Sequence, residues 1–123
     1  MANPFVHVEL HTNDIGKAKK FYSQLFGWDL KDLPAPGGGG AYTMIGVGEG
    51  TGGGMMKDSD SKAPPHWLAY VGVDDIEAST KKAQILGATV VQGVMKVGEY
   101  GWMSVIRDPT GAHIALWKAN GGA

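Results

Sequence analysis

Four histidines and one glutamate carry most of the chemistry this chain can offer. His7, Glu9 and His11 alternate with Val8 and Leu10, so on an extended strand their side chains leave by the same face. Imidazole and carboxylate together can move protons near neutral pH, and both bind borderline or hard divalent ions. His66 shares strand parity with Tyr70, and His113 shares it with Trp117. Disulfides, thiolate metal sites and a cysteine nucleophile are excluded, because the chain has no cysteine. For His7 the plainer reading is a hydrogen-bonded histidine on a half-buried strand, and that reading is the stronger one for a single imidazole.

The elements that must position these groups follow from periodicity. Phe5 to Thr12 alternates as a half-buried strand, with Val6, Val8 and Leu10 on one face and Phe5, His7, Glu9 and His11 on the other. Asn13 or Asp14 offers a helix N-cap, and Ile15, Ala18, Phe21, Tyr22 and Leu25 form the apolar stripe of a helix that Gly27 ends. Trp28 to Leu33 and Ala41 to Val47 read as strands. Pro34 to Gly40, with four consecutive glycines, reads as a flexible loop. A second glycine-rich piece leads to Met55 and Met56, and Asp58 to Pro65 is a polar linker. The pattern then restarts: strand His66 to Val73, cap Asp74 or Asp75, helix stripe Ile76, Thr80, Ala83 and Leu86, stop Gly87. Ala88 to Val94, Trp102 to Arg107 and Ala112 to Lys118 are the remaining strands, with Asp108-Pro109-Thr110-Gly111 a turn. Asn120 to Ala123 reads as a disordered tail. Neither Gly37–Gly40 nor Gly52–Gly54 is a phosphate loop, since no Lys-Ser/Thr follows and no helix starts there. Gly37–Gly40 is better suited to a mobile flap.

At 123 residues the chain fits one domain. Its net charge of -1 gives no general attraction to nucleic acid or anionic membrane, so neither is expected as a partner. Lys17, Lys19 and Lys20 read as the solvated face of an amphipathic helix. No apolar run is long enough to span a bilayer, and Met1 to His11 lacks the charged and apolar regions of a signal peptide. A cytoplasmic location is therefore expected.

The two halves superpose. Asn13-Asp14-Ile15 matches Asp74-Asp75-Ile76, and Leu25-Phe26-Gly27 matches Leu86-Gly87 with a slip of one residue. Each half reads as strand, helix, then about three strands, and one such module alone would leave a sheet face uncovered. At this point the residues resemble a known superfamily. His7-x-Glu9-x-x-x-x-Asp14, Phe21-Tyr22 and Leu25-Phe26-Gly27-Trp28 look like the opening of glyoxalase and bleomycin-resistance type vicinal oxygen chelate (VOC) proteins. Tyr70-Val71-x-Val73-Asp74-Asp75, Asp108-Pro109-Thr110-Gly111-Ala112 and Leu116-Trp117 resemble the second half.

The resemblance implies an α+β fold: two βαβββ modules forming a curled mixed sheet with a concave cavity and outer helices. One VOC domain then covers residues 1–123, with module one about 4–57, a linker at 58–65 and module two about 66–118. It implies a homodimer with two cavities, pairing with a different VOC chain being the alternative. Family enzymes such as glyoxalase I hold a divalent metal with one residue from each of four cavity strands, and the ion acts as a Lewis acid. His7 stands at the first ligand position, and the repeat equates it with Leu68. The last-strand position is Ala115, and its repeat mate falls near Gly54. Three of these four side chains cannot bind a metal, so neither a cofactor nor the glyoxalase I mechanism is expected. Polar and aromatic residues still share the implied cavity face: His7, Glu9, His66, Tyr70, His113 and Trp117, whereas Trp67 has core parity. Two readings follow. One is a binding module that holds a small organic molecule without metal. The other is a lyase, isomerase or dioxygenase using a displaced divalent metal or a metal-free His/Glu set.

Overall fold

The computed structural model describes residues 2–34, 41–58 and 63–120. Along the chain run β1 (Phe5–Thr12), α1 (Ile15–Phe26), β2 (Asp29–Pro34), β3 (Ala41–Gly46), β4 (Gly53–Lys57), β5 (His66–Gly72), α2 (Ile76–Ile85), β6 (Thr89–Val97), β7 (Gly101–Arg107) and β8 (His113–Ala119). The fold is α+β, and the βαβββ order occurs twice. The flap expected at Gly37–Gly40 lies outside the described residues, as does the middle of the linker. Of the expected tail, Asn120 is held: its N–H donates to the Tyr100 carbonyl at 2.7 Å and its side chain to the Glu99 carbonyl at 2.9 Å.

The chain divides into two compact units, His7–Leu68 and Met1–Val6 with Ala69–Ala123. In the first the strand order is β2-β3-β4-β1, with β4 parallel to β1 and β3 antiparallel to both β2 and β4. In the second it is β5-β8-β7-β6, with β5 parallel to β8 and the others antiparallel. Each unit therefore carries a mixed sheet. The parallel pairs confirm the sequence repeat at the level of register. Glu9 lies opposite Gly54 in the first unit, and their repeat mates Tyr70 and Ala115 lie opposite each other in the second.

Both helices start on the second of the two candidate caps. The Asp14 carboxylate accepts from the Lys17 N–H and the Asp75 carboxylate from the Ala78 N–H, each at 3.0 Å. These bonds satisfy donors that the first helical turn leaves without partners. α1 ends as expected at Gly27, whose φ of 69° is the left-handed conformation that favours glycine.

The core of the first unit is Leu10, Ile45 and Met55, with Ile15, Ala18, Tyr22, Trp28, Leu30 and Val47 packed around it. Leu10 thus faces α1, as its strand parity predicts. The helix stripe is narrower than predicted. Ile15, Ala18 and Tyr22 face the sheet, while Phe21 and Leu25 sit on its flank and stay 56% exposed. On the same helix Lys19 reaches down to Asp32 at 2.8 Å, which Thr43 also bonds at 2.7 Å. In α2, Ile76 and Thr80 are buried, but Leu86 is not part of the stripe. The helix stops at Ile85, leaving Leu86 exposed as the cap before Gly87 turns the chain at φ 107°. Val6 also departs from expectation: it is exposed, although Val8 and Leu10 are not. Among the described residues no helix is long and apolar enough to cross a membrane.

The last two glycines of the run before Met55, Gly53 and Gly54, open strand β4, which glycine content alone argues against. Its glycines are there because the neighbours come close. A Cβ on Gly53 would fall on the Val8 carbonyl of β1, and one on Gly54 would fall on the Tyr42 phenol. Strand glycines mark such close approaches.

Candidate functional site

β1 places Glu9 at the centre of a hydrogen-bonded network inside the first unit. The Tyr42 hydroxyl donates to Glu9 Oε2 at 2.6 Å, and His11 Nε2 lies 2.7 Å from Oε1. His7 Nε2 is 2.7 Å from the same Tyr42 oxygen and 3.8 Å from Glu9 Oε2. A phenol has one proton, and here it goes to Glu9. His7 therefore donates to the phenol oxygen, which assigns its ring proton to Nε2. The result is a directed relay, His7 to Tyr42 to Glu9, with His11 closing on the other carboxylate oxygen. Glu9 is only 6% exposed, so this carboxylate is held by its neighbours rather than by water.

Burial pushes the His7 imidazole below its ordinary value of 6.5, with the negative charge of Glu9 opposing that shift. The unfolded chain consequently takes up this proton at a higher pH than the folded chain. The stability His7 contributes is full above about pH 6.5 and is lost as the pH falls through the folded value. Urea midpoints measured between about pH 7.5 and about pH 5.5 should fall with pH, and less steeply in His7→Gln. Equal slopes in the two proteins would mean that the His7 proton is not linked to folding.

Sequence parity identified His7, Glu9 and His66 as cavity candidates, and all three belong to this unit. His66 joins through its ring, centred 5.0 Å from that of His11, while its Nδ1 lies 2.9 Å from the Pro64 carbonyl. Tyr70, His113 and Trp117 belong to the other unit. There Tyr70 is buried, its ring edge-on to Trp117 at 6.3 Å and its hydroxyl 4.0 Å from the Met103 sulfur. His113 is exposed at the start of β8, opposite Arg107. The residue that sequence reasoning missed is Tyr42. Its repeat mate is Met103, so the Glu9–Tyr42 pair of one module becomes Tyr70–Met103 in the other, and His7 becomes Leu68. The polar network is thus a property of the first module. The glycine at position 54 was the available signal, because it leaves room for a large neighbouring ring.

The first unit also has an apolar cleft, lined by Val8, Trp28, Ile45, Val47 and Trp67. Val8 points to the opposite face of β1 from His7 and Glu9, so this cleft is separate from the polar network. Trp67 packs edge-on against Tyr22 and Trp28 but stays 38% exposed at the cleft, so it is not the core residue its strand parity predicts.

The four family metal positions do not fit an ion. Leu68 and Ala115 are buried apolar residues, Gly54 has no side chain, and His7 is committed to Tyr42. As they stand, no three His, Asp or Glu side chains among the described residues are placed to hold a metal.

Two βαβββ modules, each with the same register in its own parallel strand pair, define the vicinal oxygen chelate architecture. Residues 5–116 match the model of the Glyoxalase/Bleomycin resistance protein/Dioxygenase superfamily, and the chain belongs to it. It is 43% identical over 116 residues to the putative glyoxylase CFP32 of Mycobacterium tuberculosis, covering 92% of this chain and 44% of that protein. It is 29% identical over 123 residues to the anthracycline biosynthesis protein DnrV of Streptomyces peucetius, covering 89% and 45%. The chain therefore spans about half the length of the curated relatives it matches. Among solved structures, a hypothetical protein, BH1468, from Bacillus halodurans superposes with a TM-score of 0.72 at 14% identity, covering 100% and 99% of the two chains. Methylmalonyl-CoA epimerase from M. tuberculosis gives 0.69 at 17%, covering 94% and 87%. Those identities speak to fold alone.

Proposed function

We propose that this protein binds a small organic molecule through the first-module network, as a homodimer and without the four-ligand metal site of glyoxalase I. The observation that carries the reading is the Tyr42 hydroxyl seated between His7 and Glu9. A few polar groups held in fixed orientation and protonation state are what orients an organic ligand in a site. Here the neutral imidazole, the phenol and the carboxylate are ordered by their own hydrogen bonds before any ligand arrives. The relatives' names, a putative glyoxylase and an anthracycline biosynthesis protein, also suit an organic ligand. Acid–base chemistry without metal is the second reading, favoured by the same relay, because the neutral His7 is linked through one phenol to a carboxylate.

Metal analysis of protein purified without chelator or affinity tag tests the proposal. The expected result is less than stoichiometric divalent metal, unchanged in His7→Ala. Stoichiometric metal that disappears in His7→Ala would overturn it. Light scattering should give twice the chain mass, and a monomer at all concentrations would remove the homodimer.

A further inference from the structure

The apolar cleft of the first unit encloses about 240 Å³. Its floor continues the core face of the sheet. Val8 on β1 and Ile45 on β3 both lie opposite Gly53, so their side chains leave by one face, and Ile45 belongs to the core cluster. No residue of α1 lines the cleft; the helix stops at Phe26, and Trp28 stands just past its Gly27 cap. Two indoles make the walls. The rings of Trp28 and Trp67 are centred 6.4 Å apart with their planes at 80°, so they form a corner rather than a stack. Further rings hold that corner in place: Tyr22 lies 5.6 Å from Trp28 and 5.4 Å from Trp67, and Phe26 lies 4.8 Å from Trp28. Among the described residues no charged side chain lines the space.

We propose that this cleft is a second binding site, for an uncharged aromatic molecule of one or two fused rings. Size sets the limit, since a cavity of about 150 Å³ already holds benzene and sites for drug-sized ligands begin near about 300 Å³. Charge sets the class. A carboxylate or ammonium brought against an uncharged apolar lining loses its hydration and gains no partner. The corner then selects a ring over an aliphatic molecule of similar size. A flat ring laid on one indole turns its edge to the face of the other, and these are the two arrangements that aromatic pairs prefer. Because Tyr22 and Phe26 already pack against the walls, little side-chain freedom is lost on binding. The site is independent of the His7–Tyr42–Glu9 network, because Val8 leaves β1 by the opposite face.

Naphthalene is the probe, with 2-naphthoate as its charged counterpart and cyclohexane as an aliphatic control. Added to the nitrogen-15-labelled chain, naphthalene should shift the indole N–H signals of Trp28 and Trp67 to saturation. Those of Trp102 and Trp117, which lie in the other unit, should stay in place. 2-Naphthoate and cyclohexane should each bind at least about tenfold more weakly. Val47→Phe fills the cleft and Trp67→Ala removes a wall, and each should weaken naphthalene by at least about tenfold. If far-UV circular dichroism shows either variant unfolded, the other decides, and the native shifts need no variant. No saturable shift up to the solubility limit of naphthalene overturns the site, as do equal shifts at all four indoles. 2-Naphthoate or cyclohexane binding as tightly as naphthalene overturns the ligand class. Shifts of Trp28 and Trp67 that grow with protein concentration in the absence of probe mean that a second copy covers the cleft, and they overturn the proposal.

Discussion

Gly53→Ala should destabilise the protein by about 3 kcal/mol or more, the largest effect expected of any single methyl group added to the first unit. The reason is that the added carbon meets backbone. Gly53 lies directly across from Val8 in the parallel β1·β4 pair, and its Cβ would coincide with the Val8 carbonyl. That carbonyl cannot swing aside, because the neighbouring Val8 N–H is bonded to the Gly52 carbonyl at 3.2 Å and β1 is held in register along β4. Relief requires separating two strands. Gly54→Ala, one residue on, makes a useful contrast. Its Cβ meets the Tyr42 side chain, which can rotate out, so the cost should be nearer 1–3 kcal/mol, about that of ordinary overpacking. In a Tyr42→Ala background Gly54→Ala should then be close to neutral. A double-mutant cycle in urea measures this coupling directly. Gly53→Ala melting within about 1 kcal/mol of the native protein would mean that the close β1–β4 approach is not rigid.

Glu9→Ala is expected to cost about 2–4 kcal/mol and to dismantle the network as well. The carboxylate is the common acceptor for Tyr42 and His11, and it is buried. Removing it leaves a phenol and an imidazole with donors aimed at an empty space, and an unsatisfied donor costs more than the net value of its bond. Glu9→Gln keeps the shape and one acceptor oxygen, so it should recover roughly half of the loss. Tyr42→Phe separates the two branches: if the carboxylate matters mainly through the phenol, Glu9→Ala adds little in that background. Denaturant midpoints and m-values on the four proteins decide this. A Glu9→Ala protein as stable as the native one would show that the network contributes orientation but no net stability.

Much of the architecture was legible from one-dimensional patterns. Asp14 and Asp75, each ahead of an apolar helix stripe, marked two copies of one module, and the register of β1·β4 and β5·β8 agrees with that alignment residue by residue. Alternation in β1 separated Leu10, which packs on α1, from Glu9, which does not. Element boundaries were less secure. Leu86 looked like part of a stripe because its spacing is helical, but Gly87 turns the chain one residue later and the last turn never reaches the sheet. β4 was obscured by glycine, a residue whose presence in a strand reflects a neighbour that only the folded chain brings near.

By itself the sequence determined the doubled module, its family and the absence of donors at Leu68, Gly54 and Ala115. These depend on residue type and spacing along one chain. It also placed His7, Glu9 and His11 on a single face, because strand parity is a local property. Only the tertiary structure decided what that face does. Tyr42 comes from β3, crosses a strand over Gly54 and puts its hydroxyl between His7 and Glu9. No local pattern encodes that contact, since it depends on the stacking order of three strands and on the space one missing side chain leaves. In the folded protein His7 and Glu9 are partners of a phenol, and His11 bonds the other oxygen of the Glu9 carboxylate.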